Sequence, residues 1–520
     1  MPSVSNSYDD LPYTCVPSPR TQPQRLATVA TFFGMTPPPV PTSRVLEIGC
    51  ADGSNTIAMG YTLPAAQCVG IDLSTRQITQ GQSVLNSLFL PNVTLKQMNI
   101  LEFNPQLGQF DYIIAHGVYS WVPEVVQEKI LQICQQHLSP QGVAYISYNT
   151  RPGWNMRSVI RDMMLYHTQH FAEPGTQIKQ MKALLEFLVD AVKDTKTLYS
   201  IFLQKELGIF KSMSESYLFH EFLEEYNQPI YFHEFVERVE QHGLKYLGDT
   251  EVHTMFSENI STQVAEKLQG IGLVHQEQYL DFLNNRMFRH SLVCHQAVAL
   301  QRYITPASVS SFCFASQLEP LTEVEISSSQ PQKFAKEGLG GLEEDLPLAK
   351  ATLTILYQQW PQAVKFADLV QQATVQLSNN DYQVTEQQEL LLAEVLLKCY
   401  LGGVIEVFTT PLRLVTNVSA YPTASALARW QVQHSSQVAT LRCEQLELTS
   451  SIFIRMLPYI DGQRDETALL AVLQQLVIQE NIPVYHEGEP IAPEAMTPES
   501  WQRLLQILLK RLAKLALLVA

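Results

Sequence analysis

Between Arg44 and Tyr148 short apolar runs alternate with amphipathic stretches, and this alternation limits the fold more than any other feature of the chain. Arg44–Gly49 (RVLEIG) reads as a buried strand. Gln67–Asp72 (QCVGID), Val93–Gln97, Phe110–Ala115 (FDYIIA) and Gly142–Tyr148 (GVAYISY) read as four more. Strands separated by helical stretches specify a parallel sheet with helices on both faces, because parallel neighbours need a crossover that a helix supplies. The helix signals agree. Ser74 with Gln77 three residues on predicts a capping box. Pro123 suits a first helical position, and Val126, Ile130, Ile133 and Cys134 recur at helical spacing. Ser139-Pro140-Gln141-Gly142 reads as a stop and turn before the fifth strand.

The chain has 520 residues, enough for about three to four folding units. From about Asn155 to Gly270 it reads as mostly helical. Phe219-His220-Glu221-Phe222 is echoed thirteen residues later by Phe232-His233-Glu234-Phe235, too short and too few for a solenoid. The polar stretch Ile326–Gly341 is the clearest linker. Beyond it, Leu348–Gln359 and Glu386–Leu401 read as helices and Gly402–Phe408 as a strand, an order that suits a winged-helix-like unit. The tail partly repeats it. Glu466–Gln479 looks helical, and Thr497 with Pro498 opens a helix to about Leu515.

Charge and cysteine use narrow the function. Asp+Glu outnumber Lys+Arg by 51 to 35, a formal net charge of −16, which argues against broad nucleic-acid binding without excluding one basic cleft. The most apolar run, Leu504–Ala520, is broken by Lys510, Arg511 and Lys514, so it reads as a soluble helix rather than a membrane span. The first residues lack the basic start and apolar stretch of a signal peptide. Eight scattered cysteines form no CxxC, so neither a zinc ribbon nor a disulfide framework is suggested. A reduced, cytoplasmic protein fits these features.

The chemistry concentrates where the first strand ends, at Glu47-Ile48-Gly49-Cys50-Ala51-Asp52-Gly53. Glycines at 49 and 53 permit a sharp turn into a helix and a close approach of ligand to backbone. The spacing is not the G-x-G-x-x-G of dinucleotide folds. Glu47 and Asp52 would repel a pyrophosphate, whereas a sulfonium cation with an α-ammonium group, as in S-adenosyl-L-methionine, would be attracted. The second strand ends at Asp72, 23 residues after Gly49, where a carboxylate can accept both ribose hydroxyls.

VLEIGCADG followed by VGIDLS resembles motifs I and II of the class I methyltransferases. Tyr8–Tyr13 (YDDLPY), Gln22–Gly34, His116–Pro123 (HGVYSWVP), Tyr148–Trp154 (YNTRPGW), Tyr217–Phe235 and Tyr279–His295 resemble one subgroup, in which a methyltransferase regulatory domain follows. That subgroup includes the rickettsial protein-lysine methyltransferases, which modify outer-membrane proteins. The resemblance covers roughly residues 7–300 closely and the C-terminal third more loosely. It implies a Rossmann-like α/β domain over 1–155 that binds S-adenosyl-L-methionine and a helical regulatory and dimerisation region over 156–325. It further implies a winged-helix-like domain over 342–412 and a helical or winged-helix-like domain over 413–520. Implied cofactor residues are Glu47, Gly49, Cys50, Ala51, Gly53, Asp72, Leu73, Asn99, Ile100 and His116. Implied residues of the transfer site are His116, Tyr119, Trp121, Tyr148 and Asn149, with no metal. The expected activity is methylation of a protein lysine by a homodimer. A small-molecule methyltransferase and a cofactor-sensing scaffold are the alternatives.

The sequence departs from the family pattern twice. Asn99 stands where an aspartate usually reads the adenine amino group, and its amide oxygen could still accept that bond. No Asn-Pro-Pro-Tyr follows the fourth strand, where His116-Gly117-Val118 sits, which weakens the case for amide or base-amine methylation.

Several residues admit two readings. His116 is either a proton acceptor or a packed wall. Tyr119 and Trp121 either shape an acceptor pocket through cation–π contact or belong to the core. Tyr148, Asn149 and Trp154 stand at the carboxyl edge where ligands sit, yet Asn149 also suits a turn. Tyr8, Tyr13 and Arg25 either lid the pocket or pack. His220 to Glu224 and His233 to Glu237 read HExxE, which lacks the zinc geometry of HExxH. Cys294-His295 with His290 lacks further ligands, and Cys50 needs only to be small.

Overall fold

The computed structural model describes residues 7–256, 260–378, 384–486 and 489–520. After α1 (Ser7–Asp10) and α2 (Pro23–Phe32), the chain alternates β1 (Arg44–Ile48), α3 (Ser54–Thr62), β2 (Gln67–Asp72), α4 (Thr75–Leu88), β3 (Val93–Gln97), β4 (Phe110–Ala115), α5 (Glu124–His137) and β5 (Leu138–Asn149). Five helices follow: α6 (Gly153–Thr168), α7 (Pro174–Val192), α8 (Leu198–Ser212), α9 (Glu215–Leu223) and α10 (Phe232–Gln241). Then come β6 (Leu244–Asp249), α11 (Thr262–Leu268), α12 (Leu273–Asn284) and β7 (Phe288–His295).

The sheet has seven strands in the order β3-β2-β1-β4-β5-β7-β6. The five expected strands pair in parallel, as their separating helices require. Of the last two only β7 runs against them: it is antiparallel to β5, and β6, antiparallel to β7, points the same way as the first five, so the sheet is mixed and not purely parallel. The strand β6 lies in the stretch that reads as mostly helical. Its partner β7 carries Arg289, His290 and Ser291 at buried positions, which interrupts the apolar signal of a buried strand.

Three local expectations change. Residues 139–142 continue β5 as a bulge: Phe110 pairs with Leu138, and Tyr112 with Val143. The Ser74 cap forms, its Oγ accepting the Gln77 N–H at 3.1 Å, but the Gln77 side chain donates to the Tyr13 carbonyl at 2.7 Å, so the box is half made. Pro123 caps α5 rather than opening it. The expected linker is also structured. Gln332–Lys336 and Gly340–Glu344 form a hairpin that a strand at Glu319–Pro320 extends. Phe334 anchors the hairpin in the core, and Gly338 and Gly340, both at positive φ, make the turn that reads as linker composition.

Period-two alternation divides the sheet's side chains between two cores. Leu46, Ile48, Ile113 and Ile146 pack against α5 and α10. Val45, Tyr112 and Tyr145 pack toward α2 and α3. The C-terminal helices Pro347–Gln359, Phe366–Leu377 and Glu386–Leu401 join the second core, and the strand Glu406–Phe408 pairs with Cys313–Ala315. The last unit has its own core, built from Leu469 and Leu473 of the helix Glu466–Gln479 and Leu505 and Leu512 of Pro498–Lys514. It touches α3 directly: Tyr61 Oη accepts the Ala426 N–H at 2.8 Å, and Cys443 Sγ lies 3.5 Å from Thr62 Oγ1. No helix of the described residues is long and apolar enough to cross a membrane.

Candidate functional site

The carboxyl ends of β1, β2 and β4 converge on the glycine turn. Gly49 and Gly53 take φ values of 71° and 75°, and a side chain on Gly49 would stand 2.4 Å from Val118. The N–H groups of Gly49 and Cys50 donate to the Ile71 carbonyl at 2.8 and 3.0 Å, fastening the turn to β2. Asp72 then accepts the Ala51 N–H through one carboxylate oxygen and the Ser74 N–H through the other, each at 2.8 Å. The loop after β1 and the loop after β2 are thereby held by one side chain.

Three carboxylates, Glu47, Asp52 and Asp72, gather here with no salt-bridge partner among the described residues. Asp52 accepts the Ser54 N–H at 2.9 Å at the start of α3. Burial pushes the carboxyls of Asp52 and Asp72 up, and the side-chain charge that weighs on each is another aspartate, Asp72 and Asp9 respectively. Glu47 is turned inward, bonded to Thr56 Oγ1 and, at 2.8 Å, to Asn55 Nδ2. Burial raises it to about 7 against those bonds. Desolvated carboxylates with spare acceptor capacity are stabilised by a cation or by hydroxyl donors. A nucleoside bearing a positive charge fits this donor set; a pyrophosphate does not.

The other expected cofactor residues lie around the same mouth. Cys50 is buried and burial pushes its thiol up, so it serves as a packed side chain; Ala51 adopts φ 51° in the turn. Leu73 is exposed. Asn99 Oδ1 is engaged by the Leu101 N–H at 3.0 Å, and Ile100 packs on the core beneath.

His116 leaves β4 and is fixed from beneath by β5. Its Nδ1 lies 2.9 Å from Tyr145 Oη and 3.2 Å from Ser147 Oγ, which also accepts the Gly117 N–H at 2.8 Å. Burial, then His290 and Arg20, lower the imidazole to about 4, so it is neutral at pH 7 and a poor proton acceptor for an amine. Tyr119 and Tyr148 are both fully buried on the opposite face of the sheet. Tyr148 stacks on Phe235 at 4.2 Å and bonds Ser291 Oγ at 3.0 Å, and Tyr119 meets the Phe235 ring edge-on at 5.6 Å. Trp121 stands edge-on to Trp154 at 6.0 Å and is partly open. Asn149 is buried; its N–H donates to Ser120 Oγ at 2.9 Å and its Nδ2 to Asn227 Oδ1 at 3.2 Å.

The structure thus brings His116 together with Tyr145 and Ser147, which sequence reasoning missed, and separates it from Tyr119 and Tyr148. The signal was present: along β5 a period of two puts Tyr145 and Ser147 on one face and Tyr148 on the other. His290, Asp249 and Glu251 were also passed over as a group, and their ligand-type atoms lie within 4.8 Å of one another. Arg286 pairs with Asp249 at 3.1 Å and Arg20 with Glu251 at 2.8 Å, so both carboxylates already hold a cation.

Three family models match consecutive parts of the chain: a methyltransferase domain over residues 40–206, a predicted methyltransferase regulatory domain over 214–295, and the C-terminal winged helix domain of PKMT over 420–517. The uncharacterized protein RP789 of Rickettsia prowazekii is 33% identical, the match covering 99% of this chain and 94% of that one. The uncharacterized protein RP028 of the same organism is 41% identical over 46% of this chain and 96% of its own length. The solved structure of PKMT2 from Rickettsia typhi in complex with AdoHcy superposes with a TM-score of 0.87 at 29% identity, covering 98% of this chain and all of that one.

Proposed function

This chain belongs to the family of class I methyltransferases that carry a regulatory domain and a PKMT-type winged helix, and we propose that it methylates a lysine amine of a protein with S-adenosyl-L-methionine as donor. The observation that carries the reading is Asp72, a desolvated carboxylate fixed by two backbone N–H groups beside an acidic glycine turn. AdoHcy, the demethylated donor, is bound by PKMT2, which matches along its whole length.

The cofactor supplies an electrophilic methyl group on its sulfonium. Asp72 would receive the ribose hydroxyls, Asn99 and Ile100 would border the adenine, and the turn from Gly49 to Gly53 with Asp52 would hold the positively charged end. Cys50, Ala51 and Leu73 give the loop its shape. His116, held neutral beside Tyr145 and Ser147, would wall the transfer site and exclude water from it. Trp121, with Asn149 behind it, forms the acceptor side. Partial burial of a lysine against such a wall lowers its pKa from about 10.4 and frees the amine to attack. Tyr119 and Tyr148 support this wall from the core rather than touching the amine.

We assign cofactor binding to residues 1–155, regulation and dimerisation to 156–325, and the winged-helix-like units to 342–412 and 413–520. Tyr166, Phe187, Leu198 and Ile201 are exposed on α6, α7 and α8, apolar side chains that a second copy would cover in a cytoplasmic homodimer.

Titration calorimetry with AdoHcy tests the donor site. Asp72→Ala removes two charge-assisted acceptors and should weaken binding about a hundredfold. Undiminished affinity would place the pocket elsewhere. Radiolabelled donor added to lysate then tests the acceptor: labelled protein bands support the reading, and label confined to small molecules overturns it.

A further inference from the structure

The segment from Ser7 to Tyr13 lies between the start of α4 and α9 and is fastened to both. On the β2 side, Ser74 Oγ donates to Asp9 Oδ1 at 2.5 Å, Arg76 Nη1 to the Asp9 carbonyl at 2.8 Å, and Gln77 Nε2 to the Tyr13 carbonyl at 2.7 Å. Ser74 is the same residue whose N–H holds Asp72. On the far side the fastenings come from α9, in the regulatory region. His220 Nε2 meets the Leu11 carbonyl at 2.6 Å, His220 Nδ1 meets Glu224 Oε1 at 2.5 Å, and Ser7 Oγ donates to Glu224 at 2.9 Å. Ser216 Oγ donates to the Pro12 carbonyl at 2.6 Å.

Between these anchors the Tyr8 ring lies flat on His220, centroids 4.5 Å apart and planes 7° from parallel. Burial and the charges of Glu224 and Asp72 all push the Tyr8 phenol up, which sets its hydroxyl within the field of the ribose-binding carboxylate. A buried histidine with both nitrogens committed to oxygen and one face committed to a tyrosine has no capacity left for a metal, which accounts for the HExxE spacing: Glu224 serves His220 and not an ion.

We propose that Tyr8 closes the outer wall of the cofactor site and that His220, with Glu224, is the positioning residue that holds it there, so that a helix of the regulatory region sets cofactor affinity. This rests on the donor site proposed above. The second copy of the motif has a different role, His233 Nδ1 bonding Gln278 Oε1 at 3.0 Å away from the strap.

The test is AdoHcy titration into the full chain, together with chymotrypsin cleavage at Tyr8 and Tyr13 with and without AdoHcy. Wild type should bind, and AdoHcy should protect the strap. His220→Ala removes two buried hydrogen bonds and should weaken AdoHcy about tenfold and abolish the protection. His220→Gln, which keeps one donor, should recover part of both. Tyr8→Ala should weaken binding by a similar factor, and Glu215→Ala, on the exposed start of α9, should change nothing. His220→Ala with wild-type affinity and intact protection overturns the proposal. If His220→Ala fails to fold, Tyr8→Ala decides, because it alters only the strap, and unchanged affinity there overturns it equally. Absence of AdoHcy binding by wild type would instead refute the donor site itself.

Discussion

Arg289 is the buried side chain that ties β7 to α12, the helix just before it. It sits on β7 with no exposure, between Glu277 and Asp281 of α12, which are equally buried. Its guanidinium makes three hydrogen bonds of 2.8 Å to the two carboxylates and a fourth of 3.2 Å to the Glu277 carbonyl, and it lies 3.8 Å from the centre of the Phe232 ring of α10. Arg289→Met keeps the apolar stem and leaves two buried carboxylates with little compensation, since Arg286 reaches Asp281 only at 3.8 Å. Breaking such a group from one side costs about 3–5 kcal/mol. That is a large share of the stability of an ordinary domain and corresponds to a fall of about 10 °C in Tm. The relevant transition in a scan of this multidomain chain is the one that AdoHcy shifts upward. Burial already pushes Glu277 and Asp281 up against the pull of Arg289. Without the arginine their folded-state pKa values rise further above the unfolded ones. The variant then gains stability as pH falls through those raised values toward the unfolded range, and its deficit should shrink between pH 8 and pH 5.5. Replacing all three residues, Arg289→Met with Glu277→Gln and Asp281→Asn, should recover most of the loss. A single variant within about 2 °C of wild type at pH 8 would refute the claim that this network holds α12 on β7.

Glu47→Gln should remove a pH dependence. The folded carboxyl titrates at about 7 against an ordinary 4.5, so between those values the folded protein holds a proton that the unfolded chain has lost, and stability falls as pH rises. Denaturant melts of wild type and variant should diverge in the variant's favour by about 3 kcal/mol across that window. His116→Asn should leave the pH–rate profile between pH 6 and 9 unchanged in shape, because burial already holds the imidazole near 4; loss of a limb near neutrality would make His116 the base. Gly49→Arg should abolish AdoHcy binding without unfolding the C-terminal unit, since the side chain would need positive φ and the space of Val118.

The five parallel strands and the glycine turn were legible because each rests on local pattern: apolar runs of strand length, glycines at fixed spacing, and an aspartate at a strand end. The pairing of β7 with β5 and β6 was not, because β7 buries an arginine, a histidine and a serine whose partners lie on three other elements, α12 just before it and β6 and β5 farther back along the chain. Tyr148 illustrates the limit at the site. It stands at the end of β5 where ligands bind, yet the strand's alternation turns it to Phe235 and the core. Asn99 and Asp72 sit where the spacing placed them, because a strand end fixes position without needing a distant partner. The hairpin at Gln332–Glu344 was hidden by composition: its turn glycines and exposed polar face look like a linker until Phe334 is seen to be buried.

The placement of the two accessory regions bears on what regulation can mean here. The segment matched as regulatory supplies β6 and β7 to the catalytic sheet, so it cannot dissociate as an inhibitory domain without removing two strands and exposing the Arg289 network. What it can vary cheaply is the hold of α9 on the strap, where the bonds are few. The C-terminal unit reaches the same loop from the other direction. Tyr61 and Thr62, at the end of α3, meet Ala426 and Cys443, while a crevice of about 360 Å³ separates Asp52 and Gln80 from Trp430 and His434. A movement of that unit would be transmitted along α3, three turns at most, to the glycine bend where the helix begins. Cofactor affinity is therefore the quantity in which both accessory regions should register, ahead of any effect on the acceptor side.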